Sequence, residues 1–386
     1  MSIVIGLISH YKHNMALLKK VVLIDVVDPR SPTKDAIKEL AELQALVKTF
    51  GGIDIANIIQ HRTKIDKNTF IGSGKVNELK EIIRLKQIDI VIINAIVNHG
   101  QLFRLTQSFW PANRLIQVWD RVDLILNIFD RHARTAEAKL QIEIARMQHM
   151  GPRISGLGTT YFSRQGGGTG GRGQGETNME LMKRHWKDHI KAKTLTLKKL
   201  TDNRQRQLDN RRNNGQKTVS IIGYTNAGKT ALFNRLTGKN KIVKDALFVT
   251  LDSTLGKLYL SQLNQEIMIS DTIGFIKNLP PSLVEAFRST LLESSNADLL
   301  LHVIDVTDDK MDVKIKVVEE LLKEMGIADK KQIYIFNKID ILPKNNKLTK
   351  KYITNNFSLY NPLYISVKDD VGIELVKETI SNNLLR

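Results

Sequence analysis

The first third of the chain alternates short apolar runs with amphipathic stretches. Apolar runs lie at 20–27, 53–59, 88–95 and 115–118, and stretches with helical spacing lie between them at 32–49, 75–86 and 101–110. Strands that alternate with helices are typical of βαβ units. We therefore predict a small parallel α/β domain over residues 1–130.

The middle of the chain combines helical periodicity with strong positive charge. Leu140, Ile144 and Met147 form one stripe, and residues 183–217 carry twelve lysines and arginines against three aspartates. Neither proline nor glycine interrupts the second stretch before Gly215, which predicts a long basic helix. The two helices can pair as an antiparallel hairpin arm over 131–216. The alternative is a solvated basic face without a partner.

A glycine-rich segment separates these two helices, with seven glycines at 165–175. It contains Gly-x-Gly-x-x-Gly, but no apolar strand precedes it, so it is not expected to bind a dinucleotide. It is either a flexible tether or a loop that brings the backbone close to RNA, with Arg164 and Arg172 on phosphates. Further candidates for RNA contact on the basic helix are Lys183, Arg184, Lys187 and Lys191.

The clearest chemical motif begins the last third of the chain. An apolar run at 218–222 is followed by Gly223-x-x-x-x-Gly228-Lys229-Thr230 and then by helix-forming residues. A strand, a glycine loop and a helix in this order form a phosphate-binding P-loop. Lys229 is predicted to reach the β- and γ-phosphates, and the hydroxyl of Thr230 to bind Mg²⁺. This domain is expected to span residues 217–386.

A second phosphate motif, Asp271-Thr272-Ile273-Gly274, follows the apolar strand 266–270. Asp271 is placed to hold Mg²⁺ through water, and the Gly274 N–H to meet the γ-phosphate. Many GTPases have a glutamine after this glycine, whereas this chain has Phe275, which cannot orient water. Thr250, in the loop before the strand 256–260, is our candidate for the switch threonine that ligates Mg²⁺ when GTP is bound.

The base is predicted from Asn337-Lys338-x-Asp340, which ends another apolar strand. The carboxylate of Asp340 can accept hydrogen bonds from N1–H and the 2-amino group of guanine together, and adenine has neither donor. Asn337 is expected to meet the base edge, and the stem of Lys338 to cover its face.

Composition narrows the possible environments and partners. The chain has 386 residues, no cysteine and a formal net charge of +18. That length predicts two or three domains, and the charge predicts a polyanionic partner, nucleic acid before membrane. The absence of cysteine fits a reducing cytoplasm, and no apolar run is long enough for a membrane span.

Taken together, these motifs resemble those of HflX-type GTPases over nearly the full length. The resemblance rests on the P-loop, on Phe248-Val-Thr-Leu-Asp252, on 271–276 with Leu279-Pro280, and on 70–75, Asp120-Arg121, Ile128-Phe129 and 171–176. It implies an α/β fold with a small N-terminal parallel α/β domain, the hairpin arm, and a P-loop GTPase domain of the TrmE-Era-EngA-Septin-like superfamily. That GTPase domain is expected to have a mostly parallel sheet with helices on both faces.

The resemblance also implies function. It implies a cytoplasmic GTPase that binds the large ribosomal subunit and its rRNA and dissociates stalled ribosomes. With Phe275 at the glutamine position, we expect hydrolysis of GTP to be slow until ribosomes stimulate it, and we expect a monomer. Lys229, Thr250 and Gly274 would be catalytic. The residues implied to bind GTP or GDP are Gly223, Tyr224, Thr225, Asn226, Ala227, Gly228, Lys229, Thr230, Phe248, Val249, Thr250, Leu251, Asp252, Asp271, Thr272, Ile273, Gly274, Asn337, Lys338, Asp340, Ser366, Val367 and Lys368.

The sequence leaves open whether K⁺ binds beside the expected Mg²⁺, and it leaves two alternative functions. Mg²⁺ is expected on Thr230, Thr250 and, through water, Asp271. Some relatives with this P-loop pattern bind K⁺ through the asparagine carbonyl, and the alternative is that Asn226 only shapes the loop. The other functions are a GTP-gated ribosome-binding scaffold or silencing factor, and a GTPase of rRNA or subunit maturation.

The chain also departs from the family pattern. Ala231 stands where a second threonine is common, and Ser253 where a proline is expected. Val367 replaces the usual alanine, and the segment 95–101 lacks an acidic pair. Relatives can carry a C-terminal extension that is not expected here.

Overall fold

The computed structural model describes residues 18–30, 33–165, 172–240, 247–248, 254–276, 292–342 and 347–385. The chain divides into two compact units. One comprises Met1–Asn127 and Pro152–Gln165, and the other comprises Ile128–Gly151 and Gly166–Arg386. The domain boundaries at 130/131 and 216/217 stay predictions.

The first unit contains a four-stranded parallel sheet with the strand order β2-β1-β3-β4. Its strands are β1 (Lys19–Val27), β2 (Gly52–His61), β3 (Ile90–Ile93) and β4 (Gln117–Asp120). The helices between them are α1 (Thr33–Phe50), α2 (Ser73–Lys86) and α3 (His99–Phe109). Parallel strands joined by helices confirm the predicted α/β class for this part of the chain.

The central strands of this sheet are apolar because helices cover them. Val22 and Ile24 of β1 and Val91 of β3 are at most 1% exposed, and they belong to one core with Ile83 of α2 and Phe109 of α3. Each of the four apolar runs in the first third of the chain therefore overlaps a strand of this sheet.

Three helices follow in the chain, α4 (Arg121–His132), α5 (Ala136–Gln165) and α6 (Arg172–Asn213). Within the second unit, contacts between α5 and α6 run in opposite directions along the two helices. Going back along α5 while going forward along α6, the pairs are Met147 O with Trp186 Nε1 at 3.1 Å, Glu143 with Lys193 at 2.9 Å and Glu137 with Arg204 at 3.3 Å. The pairing is therefore the antiparallel hairpin that the sequence predicts.

The glycine-rich segment differs in part from its prediction. The loop was expected over 165–175, but Gln165 still belongs to α5 and α6 already begins at Arg172. Gly173 and Gly175 therefore lie in a helix. A glycine inside a helix costs about 1 kcal/mol relative to alanine, which is small enough for a long helix to extend through it once nucleated.

The second unit contains a six-stranded sheet with the order β10-β9-β8-β5-β7-β6. Its strands are β5 (Thr218–Gly223), β6 (Thr254–Leu260), β7 (Gln265–Asp271), β8 (Leu299–Asp305), β9 (Gln332–Asn337) and β10 (Leu363–Tyr364). The helices of this part are α7 (Lys229–Thr237), α8 (Leu292–Asn296), α9 (Met311–Glu324), α10 (Lys347–Phe357) and α11 (Ile373–Leu384). All pairings are parallel except that of β6 with β7.

This topology gathers the polar motifs at one edge of the second sheet. The strand β5 has β7 on one side and β8 on the other, so the strand order reverses there, and ligands of open α/β sheets bind at such a point. The carboxyl ends of the parallel strands carry Gly223, Asp271, Asp305 and Asn337. In the described parts of the chain, no helix is both long and apolar enough to cross a membrane.

Candidate functional site

The loop after β5 has a backbone that only particular residues can adopt. Gly228 has φ of 97°, and a Cβ on it would lie 2.2 Å from Nδ2 of Asn337. Asn226 also has a positive φ, 64°, in the region that asparagine tolerates better than most residues. Asn337 Nδ2 donates to the carbonyl of Ala227 at 3.0 Å. The loop is therefore held against the end of β9.

Asn337 also makes contacts within the protein, and its role at the base edge stays a prediction. Its side chain is 3% exposed, and its Oδ1 accepts from the backbone N–H of Val367 at 3.3 Å. Because Nδ2 also donates to the P-loop, the amide joins two of the predicted nucleotide-binding segments. The structure thus gives this side chain a bracing role within the site.

Lys229 is buried at the start of α7. Its side chain is 6% exposed, and Nζ donates to the carbonyl of Tyr224 at 2.6 Å. Burial lowers the pKa of Lys229 to about 8, although the nearby carboxylate of Asp271 opposes this shift. A buried cation of this kind is stabilised by a negative ligand, which fits a site for phosphate.

Thr230 and Asp271 are brought together from two different motifs. The hydroxyl of Thr230 donates to Oδ2 of Asp271 at 3.0 Å, and Asp271 is fully buried. Hydroxyl and carboxylate oxygens are the hard donors that Mg²⁺ prefers. The donor set at this point fits Mg²⁺, which nucleotide-dependent GTPase domains use in general.

The segment 272–275 lies directly on the P-loop. Phe275 N donates to the carbonyl of Gly223 at 3.1 Å, and Thr225 N donates to the carbonyl of Phe275 at 2.8 Å. Thr272 Oγ1 donates to the carbonyl of Ile221 at 2.6 Å. The side chain of Phe275 is only 2% exposed, so the position that often carries glutamine presents no polar group here.

The predicted base-binding residues meet at the ends of β9 and β10. Ser366 Oγ donates to Oδ1 of Asp340 at 2.8 Å, which orients the carboxylate. Lys338 has φ of 69°, and its Nζ forms an ion pair with Asp305 at 2.7 Å. Val367 is half-buried and Lys368 is exposed. Asp340, Lys338 and the 366–368 segment are therefore neighbours, as a single base site requires.

Of the segment 248–252, which contains the predicted switch threonine Thr250, the structure describes only Phe248. Val249, Thr250, Leu251 and Asp252 lie outside the described residues, so their predicted roles stay predictions. Phe248 is 2% exposed, and its ring packs edge-on against that of Phe129 with centroids 4.7 Å apart. Phe248, two residues before the predicted switch threonine, is thereby anchored on helix α4.

The candidates for RNA contact lie on the two long helices. Lys183, Arg184, Lys187 and Lys191 are all exposed on α6. Arg164 and Arg172 have helical backbones, and their side chains lie outside the described residues. None of the six is tested by the structure.

Two groups of contacts were not predicted from the sequence. The strand β8 was not assigned, so Asp305 and its ion pair with Lys338 were missed, although the run Leu299–Asp305 is plainly apolar. Glu293 is 5% exposed and accepts from Arg204 at 3.3 Å. Nothing in the sequence pattern points to that pairing, because 89 residues separate the partners.

Three protein-family models match consecutive parts of the chain. They are described as "GTP-binding GTPase N-terminal" at residues 37–130, "GTP-binding GTPase Middle Region" at 132–211 and "50S ribosome-binding GTPase" at 218–338. The last match spans β5 to β9, which are the strands that carry the phosphate and base motifs. The chain thus has a GTPase domain that binds and hydrolyses guanine nucleotide.

Full-length relatives agree with these matches. GTPase HflX of Caldanaerobacter subterraneus subsp. tengcongensis is 40% identical over 371 residues, which cover 95% of this chain and 81% of the relative. GTPase HflX of Escherichia coli is 36% identical over 351 residues, covering 90% and 79%.

Solved structures share the fold. A GTP-binding protein from the archaeon Sulfolobus solfataricus, crystallised with GDP, is 24% identical with a TM-score of 0.50, covering 95% of this chain and 99% of its own. Another crystal structure, described as SsGBP in complex with GDP, gives a TM-score of 0.54 at the same identity and coverage. With relatives at 36–40% identity over most of both sequences, the chain belongs to the HflX family of GTPases.

Proposed function

We propose that this GTPase binds the large ribosomal subunit in the cytoplasm and dissociates stalled or idle ribosomes under the control of bound GTP. The observation that carries this proposal is the exposed basic face of α6 with Lys183, Arg184, Lys187 and Lys191. A formal net charge of +18 supports it, because rRNA is a polyanion that such a surface attracts. The family model at 218–338, described as a 50S ribosome-binding GTPase, supports the same partner.

At the nucleotide site, each group has a proposed task. Backbone N–H groups of the P-loop bind the β-phosphate, with Lys229 between the β- and γ-phosphates. Thr230 and, through water, Asp271 would hold Mg²⁺, with Thr250 added when GTP is bound. The bound metal supplies positive charge that offsets the negative charge of the phosphates. The N–H of Gly274 donates to the γ-phosphate, and Asp340 accepts from guanine.

Hydrolysis is proposed to be slow in the isolated protein. The side chain of Phe275 is buried and its backbone bonds to Gly223 and Thr225, so it cannot orient the attacking water. Electrostatic and hydrogen-bonding groups placed at the γ-phosphate supply most of the acceleration in such enzymes. The ribosome would complete or order the site, which makes its stimulation an expected property.

A path within the second unit connects the basic helix to the nucleotide motifs. Arg204 of α6 bonds to Glu293 of α8 at 3.3 Å. The next residue, Ser294, shares a hydrogen bond of 2.8 Å with Ser220 of β5, which in turn accepts from Ser270 at 3.0 Å. Ser270 precedes Asp271, the predicted Mg²⁺ residue, so a partner bound on α6 and a nucleotide with its Mg²⁺ would act on linked elements.

Sedimentation tests this proposal directly. Ribosomes and separated subunits would be centrifuged with the protein plus GTP, GDP or a non-hydrolysable GTP analogue. We expect binding to the large subunit with the analogue and a shift of joined ribosomes into subunits. Binding without dissociation would favour a ribosome-binding scaffold or silencing factor, and competition by free precursor rRNA would favour a maturation role.

A further inference from the structure

The ion pair between Lys338 and Asp305 joins the predicted base-binding motif to a residue that belongs to none of the predicted nucleotide-binding segments. Nζ of Lys338 lies 2.7 Å from Oδ2 of Asp305, and both side chains are half-buried. Asp305 ends β8 and lies beside Asn337 in the parallel pairing of β8 with β9. A carboxylate on the neighbouring strand therefore determines where the ammonium group of Lys338 lies.

The second oxygen of Asp305 holds the carboxylate in place. Oδ1 accepts from the backbone N–H of Thr307 at 3.0 Å and from the hydroxyl of Thr307 at 2.6 Å. The residue between them, Val306, donates its backbone N–H to the carbonyl of Asn337 at 3.1 Å. Because the turn after β8 fixes one carboxylate oxygen, the other oxygen is presented to Lys338 in a defined direction.

The backbone of Lys338 explains why such a contact is needed. Its φ of 69° lies in the left-handed region, which a lysine adopts only at a cost in free energy. Such a conformation persists where neighbouring contacts fix it, and the ion pair with Asp305 is one of these contacts. A lysine side chain also has more rotamer freedom to lose than most others, so an unpaired one would occupy many positions.

The base motif is held in two opposite directions across the sheet. The strand order is β10-β9-β8, and Lys338 and Asp340 both follow β9. Asp340 accepts from Ser366, which follows β10, at 2.8 Å, whereas Lys338 pairs with Asp305 at the end of β8. The carboxylate predicted to bind the base edge and the lysine stem predicted to cover the base face are therefore positioned by separate partners.

We propose that Asp305 is a positioning residue for guanine nucleotides, because it binds the ammonium group of Lys338 and so holds the lysine stem over the face of the base. This inference rests on the proposed base site. The stem is in place before the nucleotide arrives, so binding does not have to order it. Acting through Lys338 alone, Asp305 raises the affinity for purine nucleotides without distinguishing guanine from hypoxanthine and without taking part in hydrolysis.

Asp305→Asn in the full-length chain removes the ion pair selectively. Its amide oxygen can still accept from Thr307, whereas its NH₂ group is a donor and replaces the oxygen that faces the ammonium group. Lys338→Met keeps an unbranched stem without the ammonium group, and the double variant completes a mutant cycle. Asp298→Asn is the matched control, because Asp298 accepts from the backbone N–H and the hydroxyl of Thr218 at the opposite end of β8.

Four measurements are made on each variant. Competition with a fluorescent nucleotide gives the affinities for GDP and for inosine diphosphate, which lacks the 2-amino group of guanine. Stopped-flow fluorescence gives the rate of nucleotide release. Single-turnover assays at saturating GTP give the rate of hydrolysis, and Tm without nucleotide reports on folding.

For Asp305→Asn we expect the affinities for GDP and inosine diphosphate to fall together by about tenfold, the order of the cost of fixing one lysine side chain. The loss appears mostly as faster release. The ratio of the two affinities and the rate of hydrolysis at saturating GTP stay unchanged. Added to Lys338→Met, Asp305→Asn lowers the affinities by less than about twofold. Asp298→Asn lowers Tm at least as much as Asp305→Asn and leaves both affinities unchanged.

Three results would overturn the inference. They are an unchanged GDP affinity in Asp305→Asn, a loss just as large when Asp305→Asn is added to Lys338→Met, and a changed ratio of GDP to inosine diphosphate affinity in Asp305→Asn. Failure of the native protein to prefer GDP to inosine diphosphate would instead count against the proposed role of Asp340, and the affinities of Asp305→Asn would still decide the role of Asp305.

Discussion

Arg204 of helix α6 and Glu293 of helix α8 form a hydrogen-bonded ion pair, with Nη2 and Oε1 3.3 Å apart. The carboxylate is 4% exposed, and Arg211 also approaches it, at 3.9 Å. Beside this pair, Gln205 and Asn296 exchange two amide hydrogen bonds of 3.1 and 3.2 Å. The basic helix is thus fixed by polar contacts to the helix that leads into β8.

Removing the buried carboxylate is expected to destabilise this junction. Glu293→Ala removes one of the two carboxylates that pair with Arg204, which keeps Glu137, and the carboxylate that Arg211 approaches. We expect a loss of about 2 kcal/mol once the partial exposure of the arginines is taken into account. For a domain of this size, that corresponds to a fall in Tm of roughly 4–8 °C. Thermal unfolding of the full chain measures it. Glu266→Ala is the control, because Glu266 pairs with Lys257 in an exposed bridge, and an equal effect of both substitutions would contradict the prediction.

When the protein binds nucleotide in mildly alkaline solution, Lys229 should take up a proton. In the free protein, burial lowers the pKa of Lys229 to about 8, and phosphate beside the ammonium group should raise it again. Above pH 8 the lysine is therefore partly neutral when free and charged when bound, so affinity falls as the pH rises. Well below pH 8 it is charged in both states, and this dependence disappears.

Calorimetry with GDP at pH 8.5, in two buffers of different ionisation enthalpy, measures that proton uptake. We expect a value approaching one proton, and the same value for Lys257→Met, which changes an exposed lysine away from the site. Equal heats in the two buffers for the native protein would show that Lys229 does not change its charge on binding.

How far the sequence predicts this site depends on the range of the interactions. The P-loop could be predicted because Gly228 and Lys229 belong to one continuous motif whose backbone geometry is local. The bracing role of Asn337 could not, because its partners Ala227 and Val367 lie 110 and 30 residues away. Asp305 was missed because the apolar run of β8 was not assigned to a strand, and the parallel pairing of β8 with β9 brings it near Lys338.

In the fold, too, local patterns could be predicted more reliably than other features. Hydrophobic periodicity predicts the strands and helices of the first unit, since each apolar run buries one side against a neighbour. Helix ends were less predictable, as α6 begins at Arg172 within the glycine-rich segment. Glycine lowers helix propensity only moderately, so composition alone places that boundary too late in the chain.

Guanine recognition is expected to depend on the carboxylate of Asp340. Asp340→Asn replaces an acceptor with a partial donor, so GTP affinity should fall by roughly a hundredfold or more and xanthosine triphosphate should become the preferred ligand. Competition with a fluorescent nucleotide measures both affinities. Asp329→Asn, at an exposed aspartate, should change neither. Equal competition by ATP in the native protein would contradict the guanine assignment.

Ribosome binding is expected to weaken steeply with salt, because rRNA releases counterions when basic residues contact its phosphates. Lys187→Glu with Lys191→Glu should reduce the affinity for large subunits and make the slope against salt shallower, without changing GTP affinity. Lys316→Glu with Lys323→Glu is the matched control, since both lysines are exposed on α9. Cosedimentation at several salt concentrations measures the effect, and an affinity independent of salt would argue against an electrostatic interface.

Potassium dependence is the last prediction, and it rests on Asn226. The backbone of Asn226 has a φ of 64°, which shapes the loop. The carbonyl oxygen of its side chain is the type of ligand that K⁺ accepts. A bound K⁺ would supply positive charge at the β–γ bridge, which an arginine finger supplies in other GTPases. With Phe275 buried, such charge would account for hydrolysis without a glutamine.

GTP hydrolysis would be compared in K⁺ and Na⁺ at equal ionic strength, with and without large ribosomal subunits. We expect the native protein to be severalfold faster in K⁺. Asn226→Asp should alter this difference, while Asn234→Asp, a change further along α7, should keep it. Equal rates in the two salts would assign Asn226 a purely structural role, and stimulation would then have to come from the ribosome alone.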